Sequence, residues 1–302
     1  MNLSVRISSM KMKNPVMTAS GTFGYGEEYS EFVDLNSLGA VVVKGISLKP
    51  REGNPPPRIW ETPCGMLNSI GLQNVGLEEF LKFKLPFLRQ FDTNVVVNIL
   101  GETLEEYVQL CEALDKVVEA IELNLSCPNV KKGGILFSED PEIFKKVIEE
   151  SRKKIKHSVM IVKLSPMSDV KKFAKIAEQE GVDALSLINT IPAMAIDIHT
   201  RRPRLSNLVG GLSGPAIRPV GVKMVWDVFS TVGIPVIGMG GIITGEDAIE
   251  YILAGATAIA VGTANFVYPD ATIRILNGIE KYMRLYNIED INSLVGGLIW
   301  EG

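Results

Sequence analysis

The sequence is sparing with residues that cross-link, ligate metals or shuttle protons near neutral pH. Its 302 residues include three cysteines and two histidines. Cys64, Cys111 and Cys127 are too few for a disulfide framework. They also lack the CxxC spacing of a zinc or iron-sulfur site, so any such cluster serving this chain belongs on another polypeptide. His157 and His199 are joined by no cluster of carboxylates, which leaves metal-assisted hydrolysis without ligands. No metal is expected.

Long apolar runs are missing as well. No stretch approaches the ~18 apolar residues of a membrane span. The opening "MNLSVRISSMKMKNP" lacks the apolar core of about 7 to 15 residues that marks a signal peptide. A formal net charge of -4, with a pI near 5.5, provides no broad basic field for nucleic acid or an anionic membrane. Arg201, Arg202 and Arg204 form the densest basic spot and read as a solvated loop. The chain is therefore expected to be cytoplasmic, with neither nucleic acid nor membrane as partner. No low-complexity tract reads as a linker, and hydrophobic and charged fractions of 46% and 22% are ordinary for a globular chain. Residues 1–302 are read as one domain.

What the sequence does contain is a series of short apolar runs that stop abruptly. They are "PVMTAS" (15–20), "AVVVKG" (40–45), "NVVVNI" (94–99), "AIELNLS" (120–126), "VMIVKLS" (159–165), "ALSLINT" (184–190), "PVIGMGG" (235–241) and "AIAVGTAN" (258–265). Between most of them lie segments of helical periodicity, such as "TLEEYVQLCEALDKV", "DPEIFKKVIEESRKKI" and "GEDAIEYILAGA". Alternation of this kind implies parallel strands joined by crossover helices, and eight units in ~250 residues is the arithmetic of a barrel. The expected fold class is α/β, a TIM (β/α)8 barrel with short N-terminal strands and loop insertions at the C-terminal mouth. A doubly wound sheet is the alternative.

The runs end on Ser20, Lys44, Asn98, Asn124, Lys163, Asn189 with Thr190, Gly240 with Gly241, and Gly262 with Thr263. In a barrel these ends meet at one mouth, where barrel enzymes place their chemistry. A desolvated lysine is costly without a partner, so Lys44 and Lys163 imply anionic company. Glycine-rich segments "VGGLSGPA", "GMGGIITGEDA" and "VGTAN" follow the late strands. Backbone N–H groups exposed by such glycines bind phosphate. Sugar phosphates and nucleotides use the same cradle. Two features favour flavin mononucleotide (FMN): Lys163 suits the negative charge of a reduced flavin, and Asn98 and Asn124 suit its imide.

Proton transfer near neutral pH most often uses histidine. His157, however, precedes strand five at the closed end. His199 lies in a long loop after strand six, and its position does not exclude it. Cys127, in "NLSCPN", follows Asn124 on the loop after strand four. With no base evident beside it, a thiol of ordinary pKa near ~8.5 reads as a general base rather than a nucleophile. An inert loop cysteine is the alternative. Asn68, Asn124, Asn129, Asn189 and Thr190 suit a ring with alternating N–H and C=O groups, and Lys44 suits an attached carboxylate. Two competing classes are a non-redox phosphate-binding lyase or isomerase using Lys44 or Lys163 as a Schiff base, and an idle scaffold.

Taken together, "ASGTFG", "VVVKGIS", "NSIGLQN", "NLSCPN", "VKLSP", "INT", "GGLSGPA", "IPVIGMGGI" and "VGTA" resemble the dihydroorotate dehydrogenase family over nearly the whole chain. The resemblance implies FMN held by Ser20, Lys44, Gly45, Asn98, Asn124, Lys163, Ile188, Gly214, Gly240, Gly241, Gly262 and Thr263. It implies that dihydroorotate or orotate is contacted by Lys44, Asn68, Ser69, Ile70, Gly71, Leu72, Asn124, Asn129, Asn189 and Thr190. Cys127 would take a proton from ring carbon 5 while hydride leaves carbon 6, with Lys44 assisting. "ASGTFGYGEEY" and "SCPNVKKGG" look like class 1B, whose partner subunit carries FAD and a [2Fe-2S] cluster and passes electrons to NAD+. A homodimer of catalytic subunits within a heterotetramer is then expected. The alternative is the fumarate-reducing class 1A.

Overall fold

The computed structural model describes residues 1–125 and 140–300. The eight apolar runs become the strands of one closed barrel. These are β1 (Val16–Thr18), β2 (Ala40–Val42), β3 (Asn94–Ile99), β4 (Ala120–Asn124), β5 (Val159–Lys163), β6 (Ala184–Leu187), β7 (Val236–Met239) and β8 (Ala258–Val261). Each pairs in parallel with the next, and β8 pairs with β1 to close the ring. The runs are continuously apolar because both strand faces are covered. Val95, Val96 and Val97 are all 0% exposed, although their side chains alternate between the barrel interior and the helical shell.

Outside the strands lie α1 (Leu104–Leu114), α2 (Pro141–Lys154), α3 (Val170–Gln179), α4 (Arg218–Phe229), α5 (Gly245–Leu253) and α6 (Ala271–Leu285). Four of the six starts follow the capping chemistry written in the sequence. The Thr103, Asp140 and Asp169 side chains accept from first-turn N–H groups, and Thr244 with Asp247 forms a reciprocal capping box.

Three departures from eightfold regularity shape the molecule. The β1–β2 connection holds only two 3-10 turns, Glu27–Tyr29 and Leu35–Ser37. The β2–β3 connection sends out a hairpin, Ile59–Thr62 with Gly65–Asn68, before its helical stretch at 76–88. That hairpin joins Gly210–Ser213 and Ile191–Ala193, both from the β6–β7 connection, in a four-stranded antiparallel sheet. The two longest insertions thus grow from strand C-terminal ends and knit together over the mouth. A separate hairpin, Val5–Ile7 with Met10–Met12, leads into the opposite end of the barrel. There a Cβ on Gly39 would stand 2.2 Å from the Asn14 carbonyl oxygen and 2.8 Å from Met12 Cε.

Candidate active site

Strand register decides which side chains share the barrel interior. Asn98 is level with Glu122, Asn124 with Lys163, and Lys163 with Ser186. Glu122 accepts from Asn98 Nδ2 at 2.6 Å and from Ser186 Oγ at 2.5 Å. Because β4 and β6 are separated by β5 and do not pair, the bond to Ser186 bypasses a strand and shows that Glu122 points into the lumen. One layer higher, Asn124 Nδ2 approaches Asn98 Oδ1 at 3.4 Å. Tyr107, from α1, donates to the Asn124 carbonyl at 2.8 Å.

Lys163 ends β5 with only 6% of its surface exposed. Lys44, just beyond β2, is half-buried and close to Gly21, where a Cβ would lie 3.6 Å from its Nζ. Among the described residues, neither lysine forms an ion pair with a carboxylate. Burial lowers the Lys44 pKa from its ordinary value, and the positive charge of Arg58 lowers it further. Arg58 is held in the β2–β3 insertion, its Nη1 bonded to Gln73 and its Nη2 to the Glu52 carbonyl. Two cations therefore face this side of the mouth.

The three late glycine segments converge. Thr263 donates to Ser213 Oγ at 2.8 Å, which ties the end of β8 to the turn before α4. Gly241 has φ +72°, and a Cβ there would meet the Gly214 carbonyl oxygen at 2.7 Å and Arg218 Cβ at 2.8 Å. Only glycine gives both the left-handed backbone and the close approach. The turn is held from behind: Tyr251, 0% exposed on α5, places its hydroxyl 2.7 Å from the Gly240 carbonyl oxygen and 3.2 Å from that of Met239. On the β6 side, Ile188 N–H donates to the Met239 carbonyl at 3.1 Å.

The expected substrate contacts also meet. Asn68 pairs in register with Gly211 and donates to its carbonyl at 3.3 Å. A Cβ on Gly211 would strike Thr190 Oγ1 at 2.1 Å, so the Asn68 strand and the end of β6 close on the same glycine. Thr190 N–H donates to Asn189 Oδ1 at 2.8 Å. The 68–72 loop is shaped by Ser69 N–H donating to the Arg58 carbonyl at 2.7 Å and Asn54 N–H donating to that of Ile70 at 2.9 Å. Gly71 and Leu72 both take positive φ there.

Ser20, Gly45, Gly262 and Thr263 follow their strands at this rim, each at least partly buried. Cys127 and Asn129 lie outside the described residues. His157 is exposed ahead of β5, on the side away from the mouth, and His199 is exposed between Asp197 and Arg202. Cys111 is buried in α1, where desolvation pushes its thiol up to about 12, and Cys64 sits exposed at the turn of the mouth hairpin. Arg204 is less free than a solvated loop predicts: it pairs with Asp197 at 2.6 Å and stacks on Trp60 at 4.3 Å. Sequence reasoning missed Glu122, Tyr251 and Arg58. Of these, Glu122 left a signal, as a lone acid at an inward position of an apolar run.

A parallel eight-stranded barrel with two lysines and a glycine-built turn at its mouth defines a class of barrel enzyme that binds an anionic ligand at the strand ends. The family model for dihydroorotate dehydrogenase matches residues 2–283, and the chain belongs to that family; it is an oxidoreductase. Three curated relatives carry the name "Dihydroorotate dehydrogenase B (NAD(+)), catalytic subunit". That of Thermoanaerobacter sp. (strain X514) is 56% identical over 300 residues, covering 99% of both chains. That of Thermodesulfovibrio yellowstonii is 56% identical over 297 residues, covering 97% of this chain and 98% of the relative. That of Alkaliphilus oremlandii is 57% identical over 299 residues, covering 98% and 99%. A solved dihydroorotate dehydrogenase from Eimeria tenella, in complex with ferulenol, shares the fold. It superposes with a TM-score of 0.82 at 22% identity, over 98% of this chain and 88% of that one.

Proposed function

We propose that this chain oxidises dihydroorotate to orotate in pyrimidine synthesis as the FMN-bearing catalytic subunit of a class 1B enzyme, with NAD+ as final acceptor. The observation that carries the reading is the mouth itself. Lys163, 6% exposed at the end of β5, lacks a carboxylate partner among the described residues, and the end of β7 turns through a left-handed glycine, Gly241, whose space a single Cβ would fill. This donor set fits FMN. Gly214, Gly240, Gly241, Gly262 and Thr263 would hold the phosphate end. Ser20, Lys44, Gly45, Asn98, Asn124, Lys163 and Ile188 would hold the ring system. When bound, FMN supplies a two-electron acceptor for the hydride leaving ring carbon 6.

The chain's own residues do the rest. Lys44, with Arg58 behind it, attracts the substrate carboxylate. Asn68, Asn124, Asn129, Asn189 and Thr190 pair with the ring amides, and the 68–72 loop packs against one edge. Cys127 takes the proton from carbon 5. A thiol has an ordinary pKa near ~8.5, so turnover should climb as pH rises toward it.

Among the described residues no helix is long and apolar enough to cross a membrane, and we place the enzyme in the cytoplasm. FAD and a [2Fe-2S] cluster belong on a partner subunit, and two catalytic subunits form the centre of a heterotetramer. One core cluster running from Val5 to Ile291 supports reading residues 1–302 as a single domain. The test is anaerobic. Purified protein should be yellow, bleach with dihydroorotate, and be reoxidised by NAD+ only when the partner subunit is added. Colourless protein, or trapping of substrate on lysine by borohydride, refutes the redox reading; rapid reoxidation by fumarate alone refutes the NAD+ assignment.

A further inference from the structure

The buried acid inside the barrel has no role in the scheme above. Glu122 is 3% exposed, and the two groups that bond it, Asn98 and Ser186, are each 0% exposed. Its two oxygens take separate donors, Oε2 the Asn98 amide and Oε1 the Ser186 hydroxyl, and a carboxylate has acceptors alone to offer. The atom of Asn98 that sits 2.6 Å from it must therefore be the amide nitrogen. That choice fixes the opposite face of the same amide: Asn98 presents its carbonyl oxygen toward Asn124 Nδ2, 3.4 Å away, and toward Gly45, where a Cβ would stand 2.8 Å from it. An asparagine amide is otherwise nearly symmetric in shape and can turn over with little steric cost. Ser186, 2.5 Å from the other oxygen, keeps the carboxylate from rotating. The hydrogen bonds run one way, from Asn124 to Asn98 and from Asn98 to Glu122.

We infer that Glu122 is a positioning residue: from beneath the cofactor site it fixes the amide orientation of Asn98, so that an acceptor rather than a donor faces the ring-binding side. This inference rests on the FMN reading of the mouth. The ligand chemistry it selects is a flat ring with an N–H at the edge that meets Asn98, as an imide has.

Glu122→Gln tests it, because glutamine keeps the shape but carries a donor as well as an acceptor, so the amide of Asn98 is free to reverse. Flavin-free protein is titrated with FMN and followed by quenching of flavin fluorescence. The expected result is at least about a tenfold weaker Kd for E122Q than for the unaltered chain, since a lost charge-assisted bond of ~1.5–3 kcal/mol corresponds to about that factor or more. In the double variant Glu122→Gln with Asn98→Asp, the introduced amide donates to the introduced carboxylate, whose other oxygen is an acceptor in either orientation. It should bind FMN at least about threefold more tightly than E122Q. The potential of bound FMN supplies a readout that a purely structural role would not move: E122Q should raise it, because a reversed Asn98 amide offers a donor in place of an acceptor and so favours the more negative, reduced flavin. E122Q with unchanged Kd and potential overturns the inference. So does a double variant that folds no better and binds no more tightly than E122Q. Failure of the unaltered protein to bind FMN instead refutes the cofactor reading.

Discussion

Removing one hydroxyl from the outer shell should be felt both in stability and at the mouth. Tyr251 is wholly buried on α5, and its hydroxyl serves the carbonyls of Gly240 and Met239. In Tyr251→Phe the ring stays but the Gly240 carbonyl loses its donor, whereas that of Met239 keeps the Ile188 N–H. A buried acceptor left unsatisfied costs about 1–3 kcal/mol. Unfolding entropy of ~2.1 cal/mol/K per residue, taken over 302 residues, gives ~0.6 kcal/mol/K, so the melting temperature of flavin-free protein should fall by about 2–5 °C. Gly240 precedes the left-handed turn at Gly241, so its freed carbonyl should also weaken FMN binding by about fivefold, equivalent to ~1 kcal/mol. A companion change sharpens the test. A Cβ on Gly221 in α4 would stand 2.0 Å from Tyr251 Oη and 3.0 Å from Cζ. Gly221→Ala should therefore cost about 1–3 kcal/mol by overpacking, despite alanine's better helix propensity. In the Tyr251→Phe background the oxygen it strikes is gone, so the double variant should be more stable than the sum of the two by at least ~1 kcal/mol. The assay is thermal melting with and without FMN, across the four proteins of the cycle. Additive effects, or a Tyr251→Phe protein with unchanged melting and unchanged FMN affinity, would refute the clamp.

Three further outcomes are expected. Gly241→Ala, forced into φ +72° with its Cβ 2.7 Å from the Gly214 carbonyl oxygen, should destabilise by about 1–3 kcal/mol and yield largely flavin-free protein, read from the ratio of visible to ultraviolet absorbance. Cys127→Ala should lower turnover by about 10² to 10⁴ while the protein stays yellow; Cys127→Ser should recover little, and near-normal turnover in either removes the thiol from the mechanism. Because burial and Arg58 both lower the Lys44 pKa, KM for dihydroorotate should begin to rise with pH below the ordinary lysine range near ~10.4, as the ammonium that attracts the carboxylate is lost. Arg58→Gln removes one of the two causes and should move that limb to higher pH. The same shift contributes to stability with the opposite trend. Between the lowered and the ordinary pKa the unfolded chain binds more protons than the folded one, so the Lys44 contribution grows more favourable as pH rises through that window.

The fold was legible because a barrel repeats its signal. Each strand, buried on both faces, reads as an unbroken apolar run such as "NVVVNI". Four of the six helices announce their starts with a capping residue such as Thr103 or Asp140. The rim was legible for a related reason: a strand that leaves the core must end on residues that tolerate water or a ligand, so Lys44, Asn124 and Lys163 stood out at run ends. The β1–β2 link was harder, since Glu27–Tyr29 and Leu35–Ser37 are single turns too short to show periodicity. Pairing between the Gly65–Asn68 strand and Gly210–Ser213 was invisible, because it joins segments more than 140 residues apart whose register is set by backbone contact at glycines.

Residues that act behind the rim were hidden by the same packing that makes them effective. Tyr251 obeys the helical stripe of α5 and so reads as core, and only the folded backbone reveals that its hydroxyl ends on Gly240. Glu122 is the instructive case. An acid in the middle of "AIELNLS" breaks the apolar pattern, and burying it unpaired is far costlier than burying a leucine. A chain that keeps such a residue must satisfy it, and the available donors inside a barrel are the inward residues of other strands. The bonds from Asn98 and Ser186 are that satisfaction. They also carry the consequence upward, since an amide whose nitrogen is turned down toward the carboxylate turns its oxygen toward the level above. A buried charge in an otherwise apolar strand is thus evidence for an ordered polar layer at the level above it, readable before any coordinate is known.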